Sequence, residues 1–382
     1  MEIEVKTEDL RKVVSCTSRA TSSKAIQPIL SNVLLSCENG SLKVSATDLD
    51  LAIECKLPAS ISEPGKVTLP AKKLDEIVSK APGEDVNLSI DKNQLTKIVS
   101  NRSRFQINGV PSEDFPELVK KSEKEKLFCV SQEELMRAVS LTSFATSKFE
   151  STSILSGANF EINGSHFEIG ATDGSRLARY TGSLQEGKSR GEKGEKVKES
   201  AVIPGRALVE LERLMTSFKT GNDTVSFYFM PGQIIFLNND FTLSTRLLDG
   251  TFPSYDKLIP KEQSNKVIFS RTSLLSALER VAILANERTN VIKLSFSKGA
   301  KLVHLSANSP DYGNANDEVD IEYNGGDVEI AFNYRYLSEA LRNLPVDKLL
   351  IELENSLSPL LLKPYDKVDY SYTYLVMPVQ LR

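Results

Sequence analysis

The chain has no tryptophan and only two histidines, His166 and His304, in 382 residues. A single titrating imidazole needs partners to do chemistry. Each histidine stands beside a strand-like apolar residue, Phe167 or Leu305, and is read as structural or exposed. The four cysteines, Cys16, Cys37, Cys55 and Cys129, form no CxxC pair and no metal spacing with histidine. Buried free thiols in a reducing compartment are expected. No apolar run approaches the roughly 18 residues of a membrane span. Met1-Glu2-Ile3-Glu4-Val5-Lys6 lacks the apolar stretch of a signal peptide, so a cytoplasmic location without membrane contact is expected. GxSxG, HExxH and a metal-binding Cys/His cluster are also missing, which removes the commonest nucleophile and zinc chemistries. A net charge of −4 gives no reason to expect nucleic acid from bulk charge.

One motif misleads. Gly182-Ser183-Leu184-Gln185-Glu186-Gly187-Lys188-Ser189 matches the phosphate-binding pattern GxxxxGK[ST]. A working loop of this kind opens an apolar helix whose N-terminus faces the phosphates. Here Arg190 through Lys196 brings two more glycines and no apolar period, so a solvated charged loop is the better reading. A nucleotide hydrolase using Lys188 stays as an alternative. Asp48, Asp50 and Asp173 sit at strand ends, where they suit turns better than acid–base work.

What the chain does have is repetition. Helical patterns open after a hydroxyl residue at Thr7, Ser131 and Ser270. Ser131 with Glu134 makes a capping box, while Thr7 and Ser270 are expected to cap without one. A second helix recurs from near Ala71, Gly205 and Asn333. Short β-rich runs lie between, at 42–46, 159–163, 225–229 and 328–332. Asn39-Gly40, Asn163-Gly164 and Asn324-Gly325 read as hairpin turns. Ala46-Thr47-Asp48 returns as Ala171-Thr172-Asp173 and, less closely, as Ser306-Ala307-Asn308. Polar stretches at 120–126 and 261–266 each follow a Phe-Pro pair and read as linkers. The fold class is therefore α+β, with three similar domains at 1–122, 123–263 and 264–382, two helices packed on antiparallel sheets in each; one core rarely exceeds roughly 250–300 residues.

The charge is unevenly spread. The six helical segments 7–20, 71–80, 131–148, 205–219, 270–288 and 334–343 hold sixteen basic and eleven acidic residues, a net +5, which leaves −9 for the rest. Such an asymmetry suits one basic surface facing phosphate backbones without reading sequence. A three-domain scaffold with merely solvated helix charges is the other alternative.

Several segments resemble the bacterial DNA polymerase III beta subunit family, the sliding clamps. They are Arg102-Ser103-Arg104-Phe105 leading to Asp114-Phe115-Pro116, Ala171 through Ala178, Leu248 through Tyr255, Ala282 through Glu287, and Tyr374 through Val379. The resemblance spans the whole chain. It implies a non-catalytic processivity factor without cofactor or metal: two chains joined head to tail in a ring around duplex DNA, helices inward. It implies partners as well: the polymerase catalytic subunit, a clamp loader, and other replication and repair proteins carrying clamp-binding peptides. Carried over residue by residue, the peptide pocket would use Leu155, Thr172, Gly174, Arg176, Leu177, Pro253, Leu258, Leu357, Leu375, Val376, Met377, Pro378 and Val379. DNA contacts would use Arg11, Lys12, Lys24, Lys72, Lys73, Arg137, Lys148, Arg206 and Arg213. The dimer seam would bring Phe105 and Ile107 against Ile283 and Leu284. The ending Met377-Pro378-Val379-Gln380-Leu381-Arg382 departs from the usual Met-Pro-Met-Arg-Leu, and Pro359 replaces a small polar residue.

Overall fold

The computed structural model describes residues 1–22, 27–118, 126–148, 153–185, 198–219 and 223–380. Six α-helices occur among them: α1 (Thr7–Thr17), α2 (Ala71–Ser79), α3 (Gln132–Thr142), α4 (Gly205–Ser217), α5 (Arg271–Ala282) and α6 (Tyr334–Asn343). The expected helices at 7–20 and 131–148 end sooner as α-helix and tighten into 3₁₀ turns at Ser18–Ala20 and Ser143–Ala145. Each helix buries one stripe, such as Leu10, Val13 and Val14 in α1, because apolar residues recur every three or four positions.

Capping differs from expectation at two helices. Glu134 N donates to Ser131 Oγ at 3.1 Å, as a capping box requires. Thr7, however, is already helical and its hydroxyl donates to the Gly83 carbonyl at 2.6 Å. Ser270 holds the N-cap position of α5 without capping it; its hydroxyl and the Thr272 hydroxyl both bond Asp347, whose carboxylate faces the helix start instead. A carboxylate next to the helix N-terminus is favoured by the dipole there.

The chain divides into two compact units. One comprises Met1–Met136, Leu184–Glu195 and Arg206–Leu247; the other comprises Arg137–Ser183, Lys196–Gly205 and Leu248–Arg382. The first carries a five-stranded and an eight-stranded sheet, the second a twelve-stranded sheet. The fold is α+β, with helices on antiparallel sheets in three similar copies. The middle copy is shared between the units for a physical reason. Its strand Phe241–Arg246 pairs with Leu51–Pro58, so the eight-stranded sheet runs on from the first copy. Its strand Arg176–Ser183 pairs with Ser371–Val376, which carries the twelve-stranded sheet into the third.

The register repeats. Ile3, Phe128 and Val267 each lie four residues before a helix start, and pair with Leu88, Phe227 and Ile351. Those pair in turn with Ile98, Phe236 and Leu362. Such a match keeps every apolar side chain on the core face, since a one-residue slip would turn them all outward.

Turn chemistry follows at two of three sites. Asn39 and Gly40 take φ of 51° and 73° between paired Glu38 and Ser41, and Gly164 takes 64° between Asn163 and His166. Asn324-Gly325 makes no hairpin. The strands on its two sides, Gly313–Asn324 and Val328–Asn333, are not neighbours in the sheet, and the Asn265 side chain grips the link through Gly326 N at 2.8 Å. The polar stretch 261–266 also packs more than its composition suggests: Gln263 bonds the Pro359 carbonyl at 3.1 Å and Asn265 the Glu354 carbonyl at 2.9 Å. The polar stretch 120–126 lies outside the described residues except at Lys126. All four cysteines are free and buried.

Candidate functional site

A tight turn in the second unit organises the site. Asp173 Oδ1 accepts from the N–H groups of Ser175 and Arg176 at 3.0 and 3.2 Å, and Thr172 Oγ1 accepts from Gly174 N at 3.1 Å. Gly174 has a φ of 89°, and nothing lies within 4 Å of where its Cβ would be. The glycine is there for the left-handed backbone, since no atom of this chain crowds it.

The turn launches Leu177. Its Cα partners are Thr172 on one side and Leu375 on the other, and Leu375 is opposite Leu361 in the next strand. Side chains directly opposite one another share a sheet face. Leu177, Leu361 and Leu375 thus pack into one buried cluster with Val202, Phe252 and Tyr255, against half-buried Ile154, Leu155, Leu248 and Ile259. Val376 is buried too, but faces the other side with its partner Arg176. The same unit exposes large apolar side chains: Leu258 is 60% exposed, Leu357 64%, Met377 43% and Val379 36%. Pro253 is exposed and Pro378 half-buried. Met377 is held by its N–H to the Ser175 carbonyl at 2.9 Å, and Val379 by its N–H to Ala331 at 2.8 Å. Large exposed apolar side chains of this kind make this unit a candidate for a docking surface.

Tyr255 anchors the floor. Its hydroxyl donates to Glu168 Oε1 at 2.8 Å, and Glu168 also pairs with Arg179 at 2.7 Å. Burial, with Glu168 beside it, holds the phenol well above its ordinary pKa, so it stays a donor. A Cβ on Gly170 would come within 2.5 Å of the Tyr255 ring, so only glycine leaves room for it. Arg176, by contrast, is only 4% exposed; it bonds Asp173 and the Phe144 carbonyl and pairs with Glu339 of α6. Burial alone would lower its pKa, but Tyr374 and Glu339 outweigh that and keep it firmly charged.

Ile154, Val202, Tyr255 and Leu361 were not singled out from the sequence. Leu361 stands in the apolar run Leu360-Leu361-Leu362, where alternation gives no clue to facing. Val202 is a remote strand residue with no local signal. Tyr255 does fall within a family-like segment.

The basic candidates form two groups. Arg11 and Lys72 are exposed and Lys12 half-buried. Among the described residues none of the three pairs with a carboxylate; Lys12 Nζ lies 4.6 Å from the Phe218 ring centre. The others have acidic neighbours: Lys73 with Glu76 at 2.8 Å, Arg137 with Asp369 at 3.2 Å, Lys148 with Glu339 at 3.9 Å, Arg206 with Asp48 at 2.5 Å and Arg213 with Glu210 at 2.6 Å. Lys24 lies outside the described residues, as do 149–152 and Lys188 of the phosphate-loop match, of which Gly182 and Ser183 merely end a strand. Asp48, like Asp173, spends an oxygen on turn N–H groups, those of Asp50 and Leu51.

Phe105 and Ile107 sit half-buried on Ser103–Asn108, the edge strand of the five-stranded sheet. Ile283, just past α5, is 78% exposed, and Leu284 is half-buried.

Models of the DNA polymerase III beta subunit match in three parts: the N-terminal domain over residues 1–119, the central domain over 129–254 and the C-terminal domain over 256–380. The beta sliding clamp of Synechococcus elongatus is 36% identical over 386 residues, and that of Pseudomonas aeruginosa 31% over 383, each covering all of both chains. A crystal structure of the Pseudomonas aeruginosa clamp bound to griselimycin superposes with a TM-score of 0.89 at 30% identity, and the Bacillus subtilis clamp with 0.89 at 26%, again over all of both chains. With matches to every part of its length, the chain belongs to the DNA polymerase III beta subunit family, the bacterial sliding clamps.

Proposed function

We propose that two copies of this chain close into a ring on duplex DNA and present the groove around Leu177 and Leu375 to short apolar peptides. The peptides would come from the replicative polymerase, the clamp loader and other replication and repair proteins. As a sliding clamp the protein is a non-catalytic processivity factor. The proposed domains run over 1–122, 123–263 and 264–382, and the proposed compartment is the cytoplasm.

The observation that carries the ring is the repeated junction between copies. The second strand of one hairpin pairs with the last strand of the next copy, with Ile53 opposite Leu243 and Ala178 opposite Tyr374. Two strands are left without that partner. Ser103–Asn108 is a sheet edge, and Gly313–Asp320 pairs on one side only, with Leu302–Ser309. Exposed edges of this kind invite pairing with another chain. The repeat also supplies the register. Phe105 corresponds to Leu243 and Tyr374, since each faces Ile98, Phe236 or Leu362. Ala315 corresponds to Ile53 and Ala178, since each faces Ala307, Ala46 or Ala171. Phe105 of one copy should therefore lie opposite Ala315 of the other.

Inside the ring, Arg11, Lys12 and Lys72 supply cations that form no salt bridge among the described residues; Lys24, Lys73, Arg137, Lys148, Arg206 and Arg213 complete the proposed phosphate-facing set. Tethering by the groove turns a weak encounter into one at high effective concentration. The test is retention on DNA after loading by a clamp loader. The protein should stay on nicked circles and slip from the same DNA once linearised; equal retention on both would refute encirclement.

A further inference from the structure

The guanidinium of Arg176 is shared between three elements. Nε donates to Asp173 Oδ2 at 2.9 Å, within the turn, and Nη2 to the Phe144 carbonyl at 2.8 Å. Nη1 donates to Glu339 Oε2, on α6, 163 residues away in sequence. The group lies 4.6 Å from the Tyr336 ring centre and 5.5 Å from that of Phe144. Glu339 Oε1 is also 3.9 Å from Lys148 Nζ, so two carboxylates face two cations. Asp173 has a second duty, because its Oδ1 holds the Ser175 and Arg176 N–H groups that aim the chain into Leu177. Without Glu339 the buried guanidinium would keep one carboxylate where it now has two, and leave an N–H unpaired. Asp173 would then have to meet the guanidinium by itself while still holding the turn.

We propose that Glu339 is a positioning residue for the partner groove: from α6 it holds Arg176, and through Arg176 the Thr172–Arg176 turn and the Leu177 wall. The inference rests on the groove reading given above. It is tested in the full-length protein by fluorescence-polarisation titration with a labelled clamp-binding peptide of the replicative polymerase. Glu339→Gln should weaken binding about fivefold or more, but change it less than about twofold when Arg176 is already Met. The Leu177 methyl resonances should move in Glu339→Gln. Glu279→Gln, which removes the exposed pair with Arg342, should alter neither readout. An equal loss with and without Arg176 would reduce Glu339 to general helix stability and overturn the proposal. So would unmoved Leu177 methyls, a readout that does not depend on Arg176→Met folding. Leu258→Ala, run alongside, separates the two ideas. If it weakens the peptide and Glu339→Gln does not, only the positioning role falls. If Leu258→Ala has no effect, the groove is misplaced and the positioning role falls with it.

Discussion

In the proposed groove, Leu177, Leu258 and Met377 are the few side chains expected to carry most of the peptide binding. Leu177 is buried, while Leu258 and Met377 are exposed. Leu177→Ala, or removal of Pro378 through Arg382, should cost at least about 1–2 kcal/mol of peptide binding. Native mass should be unchanged, since the proposed seam uses other residues. Gly170 offers a sharper test of the floor. Gly170→Ala drives a methyl into the Tyr255 ring, which must tilt away from Glu168. The expected penalty is about 1–3 kcal/mol of stability, read as a lowered melting temperature, together with weaker peptide binding. A fully stable Gly170→Ala with unchanged affinity would show that Tyr255 is not the anchor. Among the basic residues, Arg11, Lys12 and Lys72 are the informative ones. Their reversal to Glu should weaken DNA retention uniformly across sequences and flatten its salt dependence. Reversing Arg206 or Arg213 is a poorer probe, because a new Glu would face Asp48 or Glu210 and disturb the fold as well.

Elements show where local rules held and where they gave way. The helices were legible because one apolar stripe and one polar face are a local signal, whereas of the three hydroxyl residues at helix starts only Ser131 caps as expected. Capping at α5 was not legible, because its carboxylate comes from Asp347, far along the chain. Asp347→Ala should cost about 1 kcal/mol, whereas Ser270→Ala should cost less, measured by denaturant titration. Equal costs would mean that Ser270 contributes as much as the remote carboxylate. Asn324-Gly325 makes the same point for strands. The dipeptide favours a hairpin, yet Asn265 and the order of strands in the sheet decide otherwise.

The proposed ring depends on edges that one chain leaves open. Burial of aliphatic side chains at a seam contributes roughly 1.5–3 kcal/mol each, so Leu284→Lys should give monomers or open rings in sedimentation at low concentration. The register is open to a direct check. Phe105→Cys combined with Ala315→Cys should give a covalent dimer on oxidation, because residues directly opposite in a sheet have Cβ atoms about 4.5–5.5 Å apart. Phe105→Cys with Asp317→Cys, two residues along, should cross-link far less. The reverse preference on a non-reducing gel would shift the seam by one repeat of the pleat.

The amino-acid sequence by itself determined the three copies, the helices, the buried thiols and the family, because each rests on residue type and local period; the expected basic excess shrinks, since the six α-helices as they form hold eleven basic and ten acidic residues. It also named much of the proposed groove, through motifs such as Thr172-Asp173-Gly174-Ser175-Arg176-Leu177. Only the tertiary structure decided which of those side chains share one sheet face. Val376 and Leu375 are neighbours in sequence and lie on opposite faces, since a strand turns its side chains alternately. Arg176 lies in the groove motif and yet points its charge to Asp173 and Glu339, because a buried guanidinium must find carboxylates wherever the fold supplies them.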